Sequence, residues 1–419
     1  MAGDEAIHAA RTDAGGRLRL AFVCHCLRPE DGGAGRIGGA ERAAAELLAA
    51  LRARGDVEVR LLAASAASDR LGFLGFAVRT LMELTRLARA GEIDAVLFTA
   101  FPTAWMSLVL APVMRRHGVV CAAICHGHDI TFALPPYQWL LPRVFASLDA
   151  VLPVSRATAA ECLARGVDPA RLQVVFNGAD LGRFAAPPPV EARRGILRCA
   201  FPAETQGLGD DDLVICTVGR QVGRKGHAWF VREVMPKLRA GARLWLAGDG
   251  PEAAAIAAAA AQAGVQDRVL RLSAIPDPQL HALYRGADLM VMPNVPVAGD
   301  IEGFGLVLLE ANLNGLPVVC SDIEGPAEVI SDGINGRLVP AQDATAFAHT
   351  IEQLWADADE RRRLGIQGES HVRETFGWAP VARSHVEVLE RARARPAPVQ
   401  RSRPAFSGWT VPSRSGGGA

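Results

Sequence analysis

Two carboxylates frame the stretch of the chain whose residue types are best suited to chemistry, which runs from Asp300 to Glu310. Glu302 stands just before a Gly-Phe-Gly turn, and Glu310 lies inside the apolar run that follows, with seven residues between the two. The run predicts a helix, and the free N–H groups of its first turn form an anion site together with the helix dipole. Because Glu310 is about two helical turns further on, it cannot contact the ligand atoms that Glu302 contacts. The pattern predicts one elongated ligand, anionic in its middle, with hydroxyls at both ends.

A second stretch supplies positive charge on a glycine-rich loop. Arg220 and Lys225 follow a predicted strand over residues 213–218 and precede a predicted helix. Lys225 is one of only two lysines among 45 basic residues, the other being Lys237, which favours a function over a solvated charge. A departing diphosphate needs such a loop, because the charge that develops on it must be met by cations already in place.

Both stretches resemble motifs of glycosyltransferase family 4, whose members are retaining, nucleotide-sugar-dependent enzymes with the GT-B fold. The spacing of the two glutamates matches at Glu302 and Glu310, and the basic loop matches at Arg220 and Lys225. The resemblance implies that Glu302 hydrogen-bonds the donor sugar and that Glu310 holds the ribose hydroxyls. It further implies that the sugar and the diphosphate contact the backbone amides of Gly303, Phe304, Gly305 and Leu306.

Three further positions extend the resemblance into other loops. Residues 38–42, Gly-Gly-Ala-Glu-Arg, resemble the family's Gly-Gly-x-Glu-Arg loop, which makes Gly39 the glycine that approaches the donor diphosphate. His126 stands at the C-terminal tip of a predicted parallel strand, where such sheets bind ligands. The resemblance implies that His126 contacts the sugar near the reacting carbon, with Asp129 as a second candidate. It also implies that the backbone at Ile275 pairs with the nucleotide base.

The resemblance implies a reaction as well as a set of contacts. Arg220 and Lys225 would stabilise the leaving diphosphate while Glu302 and His126 orient the sugar, so these four are the expected catalytic residues. The acceptor hydroxyl, on a glycan, a lipid-linked molecule or a small molecule, would attack on the face that the leaving group vacates. The donor would be a UDP-, GDP- or ADP-hexose. No metal and no further cofactor are expected, because the two cations take the metal's place.

Other functions remain open from the residues. A GT-B-like epimerase would need a pair of acid/base carboxylates in the first domain, and a phosphorylase would need a Schiff-base lysine, for which Lys225 is a poor fit. A non-catalytic relative would keep the fold without turnover, although the expected donor-site residues are all present. Residues 33–38 also fit G-x-G-x-x-G, but the strand over 57–62 ends without the acid that binds a ribose in dinucleotide enzymes.

A metal site is an alternative interpretation of several cysteines. Residues 24–26, Cys-His-Cys, lie on one predicted strand, and Cys121, Cys125 and His126 lie on or just after another. These soft ligands could meet if the two strands were neighbours. Their spacings match no zinc module, and strand residues alternate between faces, so reduced and buried thiols are the favoured interpretation.

The elements that must position these residues are strands and helices in alternation, repeated on both sides of a proline-rich join near residue 190. A chain of 419 residues is too long to fold around one hydrophobic core. The pattern therefore predicts two Rossmann-like, doubly wound α/β domains facing a central cleft, the arrangement that the resemblance identifies as GT-B. We predict a disordered leader over 1–16, an N-terminal acceptor domain over 17–186, a linker over 187–212, a C-terminal nucleotide-sugar donor domain over 213–376, a helix over 377–394 that crosses back to the first domain, and a disordered basic tail over 395–419.

Composition bears on partners and compartment. A formal net charge of zero argues against a nucleic-acid binder. Neither a secretory signal nor a run of about twenty uncharged apolar residues is visible, so we expect a cytoplasmic protein. The apolar segment over 71–90, interrupted by Arg79, Arg86 and Arg89, predicts a core helix, with a lipid-facing surface as the alternative. Peripheral contact with the inner face of a membrane therefore stays open.

Overall fold

The structure is a computed structural model that describes residues 16–27, 39–65, 70–323 and 325–395. The glycine-rich segment over 33–38, nearly all of the predicted leader and the predicted tail beyond Arg395 lie outside these residues. Two parallel β-sheets, one in each half of the chain, organise the described residues.

The first sheet is built from five parallel strands, β1 (Leu18–Leu27), β2 (Val57–Ser65), β3 (Ala95–Phe98), β4 (Val120–Cys125) and β5 (Ala150–Pro153). Their order across the sheet is β2-β1-β3-β4-β5. Residues of β1 alternate between two cores, with Leu20 and Phe22 on one side of the sheet and Ala21 and Val23 on the other. Helices therefore cover both faces, which is why the strands are continuous apolar runs.

The second sheet is built from six strands, β6 (Leu213–Val218), β7 (Ala242–Ala247), β8 (Val269–Leu272), β9 (Leu289–Met292), β10 (Val318–Ser321) and β11 (Arg337–Val339). Their order is β11-β10-β9-β6-β7-β8, so counting from β6 gives the Rossmann order 3-2-1-4-5-6. In such sheets, ligands bind at the carboxyl ends of the strands where the order reverses, which here is between β6 and β9.

Helices alternate with the strands in both halves, which confirms the predicted α/β class. The first half contains α1 (Gly39–Arg52), α2 (Arg70–Ala90), α3 (Phe101–Ala104), α4 (Ser107–Arg116), α5 (His128–Thr131), α6 (Pro135–Ser147) and α7 (Arg156–Ala164). The second half contains α8 (Val190–Ala200), α9 (His227–Trp229), α10 (Ala253–Gln262), α11 (Asp277–Gly286), α12 (Leu306–Leu313), α13 (Pro326–Val329), α14 (Ala344–Ala356), α15 (Ala358–Thr375) and α16 (Trp378–Ala394). None of the helices in the described ranges is both long and apolar enough to cross a membrane.

The predicted linker contains a helix, α8, that its composition concealed. Arg193 and Leu197 are the buried side chains of α8 and lie four residues apart on one face. The Arg193 guanidinium donates to the carbonyls of Ala287, at 3.2 Å, and Gly315, at 2.7 Å, which ties the helix to the second domain. The prolines over 187–189 precede α8, where their missing N–H groups interrupt no hydrogen bond. The prediction of an irregular segment was therefore wrong for these eleven residues.

Two long helices end the described chain. The helix α15 was not predicted from the sequence, because two glycines, Gly365 and Gly368, form half of its buried face and weaken the apolar periodicity. The last helix, α16, packs against α1, β4 and β5 and so joins the end of the chain to the first sheet. At its start, the Trp378 indole donates a hydrogen bond to Glu46 of α1.

Glu46 should make stability depend on pH. Burial raises the pKa of Glu46 to about 7, and Asp180 adds to the rise. The hydrogen bond from Trp378 and the charges of Arg42 and Arg183 oppose it. The folded state therefore keeps a proton that the unfolded state loses above its ordinary pKa of 4.5. The resulting stability is complete below that value and is lost as pH rises through about 7.

We expect Glu46→Gln, which keeps an acceptor for Trp378, to raise the free energy of unfolding by about 2 kcal/mol at about pH 8. At about pH 4 the glutamic acid of the parent protein and the glutamine of the variant are both neutral, so the two proteins should have the same free energy of unfolding. Urea denaturation at the two pH values measures the difference. An equal effect at both would contradict a neutral, buried Glu46.

Candidate active site

The loops that follow β6 and β9 meet where the strand order of the second sheet reverses. Lys225 Nζ, on the first loop, lies 2.8 Å from Glu302 Oε2, on the second. The Nε of Arg224 lies 3.2 Å from the same oxygen. The side chains of Lys225 and Glu302 are only 8% and 12% exposed. The structure thus brings together two residues for which the sequence predicted contacts with one ligand.

Glu302 is ionised in this setting. Burial alone would raise the pKa of Glu302, but the charges of Lys225 and Arg224 hold it below its usual value. The carboxylate can therefore accept hydrogen bonds from sugar hydroxyls. Sequence reasoning missed Arg224, whose guanidinium also contacts Asp300, at 3.3 Å. Its place beside Lys225 in the same loop was the signal that could have identified it.

Tight backbone packing fixes the loop that carries Lys225. Gly226 has a φ of 64°, and a Cβ there would lie 2.0 Å from the carbonyl oxygen of Pro293. Only glycine therefore lets this loop lie against the one that carries Glu302. The next residue, His227, is buried with its Nε2 3.3 Å from Thr217 Oγ1. Burial, with a smaller contribution from Lys225, lowers the pKa of His227 to about 3, so the imidazole is neutral.

The Gly303–Leu306 turn leads directly into α12. Gly305 has a φ of 96° and directly precedes the helix, so the first amides of α12 are at this turn. The Phe304 side chain is buried and packs against Phe176 and Phe376, at ring-centroid distances of 5.8 and 6.0 Å. Only the backbone of Phe304 is therefore available to a ligand, as the resemblance implied. A Cβ on Gly39, the first residue of α1, would lie 3.6 Å from Leu306 Cδ1, so these two predicted contacts face each other across the cleft.

The two domains touch backbone to backbone at His126 and Gly303. A Cβ on Gly303 would lie 1.9 Å from the His126 carbonyl oxygen. The His126 Nε2 is 2.9 Å from the carbonyl oxygen of Thr99 and must donate to it, because a carbonyl can only accept. The predicted sugar contact therefore lies at the domain junction, close to the Glu302 loop.

Asp129 hydrogen-bonds to the backbone of two loops in the first domain. Its carboxylate accepts hydrogen bonds from the backbone N–H of His126, at 2.8 Å, and of Phe101, at 3.3 Å. It thereby fixes the ends of β3 and β4, where the chain turns into α3 and α5. Each carboxylate oxygen has a second lone pair, so a contact of Asp129 with the sugar stays a prediction.

Glu310 is held by residues of both domains. Its Oε1 lies 2.6 Å from Arg42 of α1 and 2.8 Å from Arg183, and its Oε2 accepts the Tyr284 hydroxyl at 2.9 Å. Burial and the Glu310 charge raise the pKa of Tyr284, so the hydroxyl stays protonated and donates. A ribose at this carboxylate would share it with the two arginines. Sequence reasoning missed all three partners, although Arg42 belongs to the Gly-Gly-x-Glu-Arg loop.

Two predicted contacts stand apart from this cluster. Arg220 is exposed, and within the described ranges its side chain forms no ion pair. Ile275 is half-buried in the loop after β8, beside Ala274, whose N–H donates to Asp249 at 3.1 Å. Both lie beyond carboxyl ends of strands in the second sheet, and their contacts with a nucleotide sugar stay predictions.

The alternative of a soft-ligand metal site is wrong for the strands on which it rested. β3 lies between β1 and β4 in the first sheet, so Cys24 and Cys121 are not on neighbouring strands. Both thiols are buried, and burial raises the pKa of Cys121 well above its usual value. Among the described residues, no group of three or more His, Cys, Asp or Glu could hold a metal ion.

Two family models match consecutive parts of the chain. Residues 37–183 match the model described as Glycosyltransferase Family 4, and residues 212–357 match Glycosyl transferases group 1. The chain is also 32% identical over 323 residues to a GDP-mannose-dependent alpha-(1-6)-phosphatidylinositol monomannoside mannosyltransferase of Mycolicibacterium smegmatis, covering 75% of this chain and 81% of the relative. The chain belongs to glycosyltransferase family 4. The family and the transferase class predicted from the two glutamates and the basic loop are confirmed.

Further comparisons place this glycosyltransferase among relatives and folds. It is 35% identical over 263 residues to a D-inositol 3-phosphate glycosyltransferase of Xylanimonas cellulosilytica, covering 61% of this chain and 60% of the relative. The structure of Anabaena HepE in complex with UDP matches with a TM-score of 0.68 at 18% identity, covering 89% of this chain and 100% of that one. Sucrose-phosphate synthase of Thermosynechococcus elongatus matches with a TM-score of 0.66 at 20% identity, covering 90% and 99%. The predicted GT-B architecture is confirmed.

Glu310→Gln should weaken nucleoside diphosphate binding about tenfold, the effect of removing the charge from one hydrogen-bonded carboxylate. The reason is that an amide oxygen holds ribose hydroxyls less strongly and no longer pairs with Arg42 and Arg183. Titration calorimetry with GDP and UDP measures the loss. Glu352→Gln is the control, because Glu352 pairs with Arg239 at the surface of the second domain. Unchanged affinity for both nucleotides would mean that the ribose contact is misassigned.

Proposed function

We propose that this family 4 enzyme moves a hexose from a nucleoside-diphosphate sugar to a hydroxyl of a lipid-linked acceptor, with retention of the anomeric configuration. The observation that carries the proposal is the nearly buried Lys225–Glu302 pair at the N-terminus of α12, where Gly303 meets His126. A cation and helix amides suit a diphosphate, and an ionised carboxylate suits sugar hydroxyls.

Binding of the sugar nucleotide exchanges the partners of this pair. The diphosphate attracts Lys225 and Arg220 and accepts hydrogen bonds from amides of the Gly303–Leu306 turn. Glu302 then accepts hydrogen bonds from hydroxyls of the sugar, which His126 contacts from the other domain. As the bond from the anomeric carbon to the phosphate oxygen breaks, charge grows on that oxygen and is stabilised by the cations and by the dipole of α12.

The acceptor oxygen bonds to the anomeric carbon on the face that the phosphate oxygen vacates. The departing phosphate oxygen takes the proton from the acceptor hydroxyl, so the products are the glycoside and a protonated nucleoside diphosphate. This route needs no protein base, which agrees with a site in which Glu302 pairs with cations and Asp129 holds backbone amides. We expect Arg220, Arg224 and Lys225, rather than a metal ion, to supply the positive charge.

The names of the relatives support a first choice of substrates. One relative is named for GDP-mannose and a phosphatidylinositol mannoside, and another for an inositol phosphate. We therefore propose GDP-mannose as the donor and an inositol-containing glycolipid as the acceptor. UDP- and ADP-sugars, and glycan or small-molecule acceptors, are the alternatives to compare. We also propose a cytoplasmic location with peripheral contact at the membrane.

A panel assay with proton NMR tests this proposal. The enzyme is incubated with GDP-mannose, UDP-glucose or ADP-glucose, with and without a phosphatidylinositol mannoside acceptor. We expect release of nucleoside diphosphate and an α-anomeric product signal from an α-linked donor. A β-anomeric product would contradict retention. An isomerised sugar still attached to its nucleotide would mean an epimerase, and no change with any donor would mean a non-catalytic protein.

A further inference from the structure

One face of the first domain exposes apolar side chains at helical spacing. On α2, Leu74, Val78 and Met82 are 59%, 47% and 61% exposed. They are four residues apart, so they line one side of the helix, while Phe76 and Leu84 on the other side are buried in the core. The helix is therefore apolar on the side that faces solvent as well as on the side that faces the core, which a helix of a domain core does not require.

The exposed apolar surface continues over the neighbouring helices. α4 packs between α2 and α6 and presents Val109, which is 61% exposed. Trp139 on α6 is 66% exposed, and Phe132 and Leu134, just before α6, are 47% and 50% exposed. We call this surface the α2–α4–α6 face. A concentration of exposed apolar side chains on helices that pack side by side marks an interaction site.

The α2–α4–α6 face is also strongly basic. The side chains that the structure describes on the three helices include six arginines and one glutamate, a net charge of +5 in a chain whose formal net charge is zero. The glutamate, Glu83, is itself paired with Arg86 and Arg60. Glu92, just after α2, pairs with Arg86 and with Arg60 of β2, so these two residues outside the helices add no net charge. The Arg143 guanidinium lies 3.7 Å from the centre of the Trp139 ring. Exposed aromatic, aliphatic and arginine side chains together are typical of surfaces that lie in the interface of an anionic bilayer.

An apolar cavity lies within this part of the domain. Its volume is about 240 Å³, and its lining includes Phe73 of α2, Phe101 of α3 and Leu140 of α6. Tyr137 also lines it, but its hydroxyl donates to the carbonyl oxygen of Asp129 and so is not a free polar group. Phe101 donates its N–H to Asp129. Two residues of the cavity lining thus hydrogen-bond to Asp129, which also accepts the N–H of His126.

We propose that the α2–α4–α6 face docks on an anionic lipid bilayer. Charge decides the occupant, because a two-fold dimer would bring two faces of charge +5 together, whereas anionic headgroups neutralise that charge. Docking in this way brings the domain with the His126 loop close to the bilayer. This inference rests on the membrane contact of the proposed function and names the surface that makes it. The docking can be measured without sugar transfer, so it can fail while the transferase activity holds.

Co-sedimentation with vesicles tests the docking without any sugar nucleotide or acceptor. Vesicles of equimolar phosphatidylcholine and phosphatidylglycerol should bind the protein, and pure phosphatidylcholine should bind it at least tenfold more weakly. Met82→Glu should lower the apparent partition constant at least tenfold. Ile366→Glu should leave it unchanged, because Ile366 is 62% exposed on α15 of the second domain and so matches Met82, at 61%, in exposure and in added charge. Replacing Arg89 and Arg116 together by Gln should also weaken binding to the anionic vesicles.

Several results would overturn the inference. The parent protein could fail to bind anionic vesicles, or the Met82 and Ile366 variants could lose vesicle binding equally. Sedimentation velocity could also show a dimer that Met82→Glu separates into monomers. Circular dichroism and hydrolysis of the sugar nucleotide report whether each variant is folded. If docking fails while a deacylated acceptor is still glycosylated, only the docking is wrong. If docking holds and no acceptor is glycosylated, the proposed function is wrong instead.

Discussion

Lys225→Ala is expected to lower kcat for sugar transfer by about 10²- to 10³-fold, the loss seen when one preorganised partner of a developing anion is removed. Lys225 Nζ lies 2.8 Å from Glu302 in a nearly buried position, so its charge is little screened by water. The diphosphate gains charge as it leaves, and the effect should therefore appear in kcat more than in KM. Steady-state kinetics with the preferred sugar nucleotide measures both constants.

The chain provides a matched control for this prediction. Lys237 is its only other lysine and is exposed at the end of the helical turns over Phe230–Val234 and Met235–Lys237 that follow α9, so Lys237→Ala should keep full turnover. Removing Lys225 also leaves Glu302 with fewer cations, so thermal unfolding should accompany the kinetics. A Lys225 variant with the turnover of the Lys237 variant would contradict the assigned role, whatever its stability.

Gly303→Ala is expected to lower kcat/KM by about 100-fold, because a displacement of about 1 Å at a reacting site has an effect of this size. A Cβ at this position would lie 1.9 Å from the carbonyl oxygen of His126. The Cβ is fixed in place by the backbone and the oxygen belongs to the backbone, so no side chain can rotate to make room. The loop that carries Glu302 must move away from the first domain, and the contact between the two domains weakens with it.

Gly195→Ala is the control for this substitution. Gly195 lies in α8, has no atom near its added Cβ and should tolerate alanine with unchanged activity. Turnover with each variant, measured beside its melting temperature, separates misplacement of the loop from unfolding. Full activity of the Gly303 variant would mean that the His126 loop and the Glu302 loop do not have to meet during catalysis.

Features that depend on local sequence could be predicted. Apolar runs such as 213–218 predicted buried parallel strands. The strand-loop-helix pattern predicted the positions of the loops that carry Lys225 and Glu302. Parallel strands place their carboxyl ends on one edge of the sheet. The two loops follow neighbouring strands, β6 and β9, at the switch point, so they must lie close together. The predicted turn over 303–306 likewise depends on its own glycines.

Features that depend on distant residues could not be predicted. Arg42 and Arg183 reach Glu310 from sequence positions 268 and 127 residues away, and no local pattern signals such a pairing. The choice of Arg224 over Arg220 as the partner of Glu302 likewise depends on how the loop turns at Gly226. The helix α8 was concealed by prolines that precede it, since its stability comes from burying Leu197 and Arg193 against other elements.

Several contacts across the cleft join the two domains. Arg42 and Arg183 connect the first part of the chain to Glu310, and His128 Nδ1 lies 3.4 Å from Asp300 Oδ1 on the Glu302 loop. Glu328 of α13 also accepts the N–H groups of Arg156 and Ala157 at the start of α7, at 2.8 and 3.0 Å. We expect a sugar nucleotide bound at Glu302 and Glu310 to share or displace part of this network, which would couple its binding to the distance between the two domains.

A crystal structure with an intact nucleotide sugar tests the central claim most directly. We predict that the pyrophosphate lies in the cleft, with an oxygen within about 3 Å of Lys225 Nζ and another within about 3 Å of an amide of the 303–306 turn. Glu302 should then contact the sugar instead of Lys225. A pyrophosphate bound elsewhere, with Lys225 still paired to Glu302, would contradict the assignment of this cleft as the site of transfer.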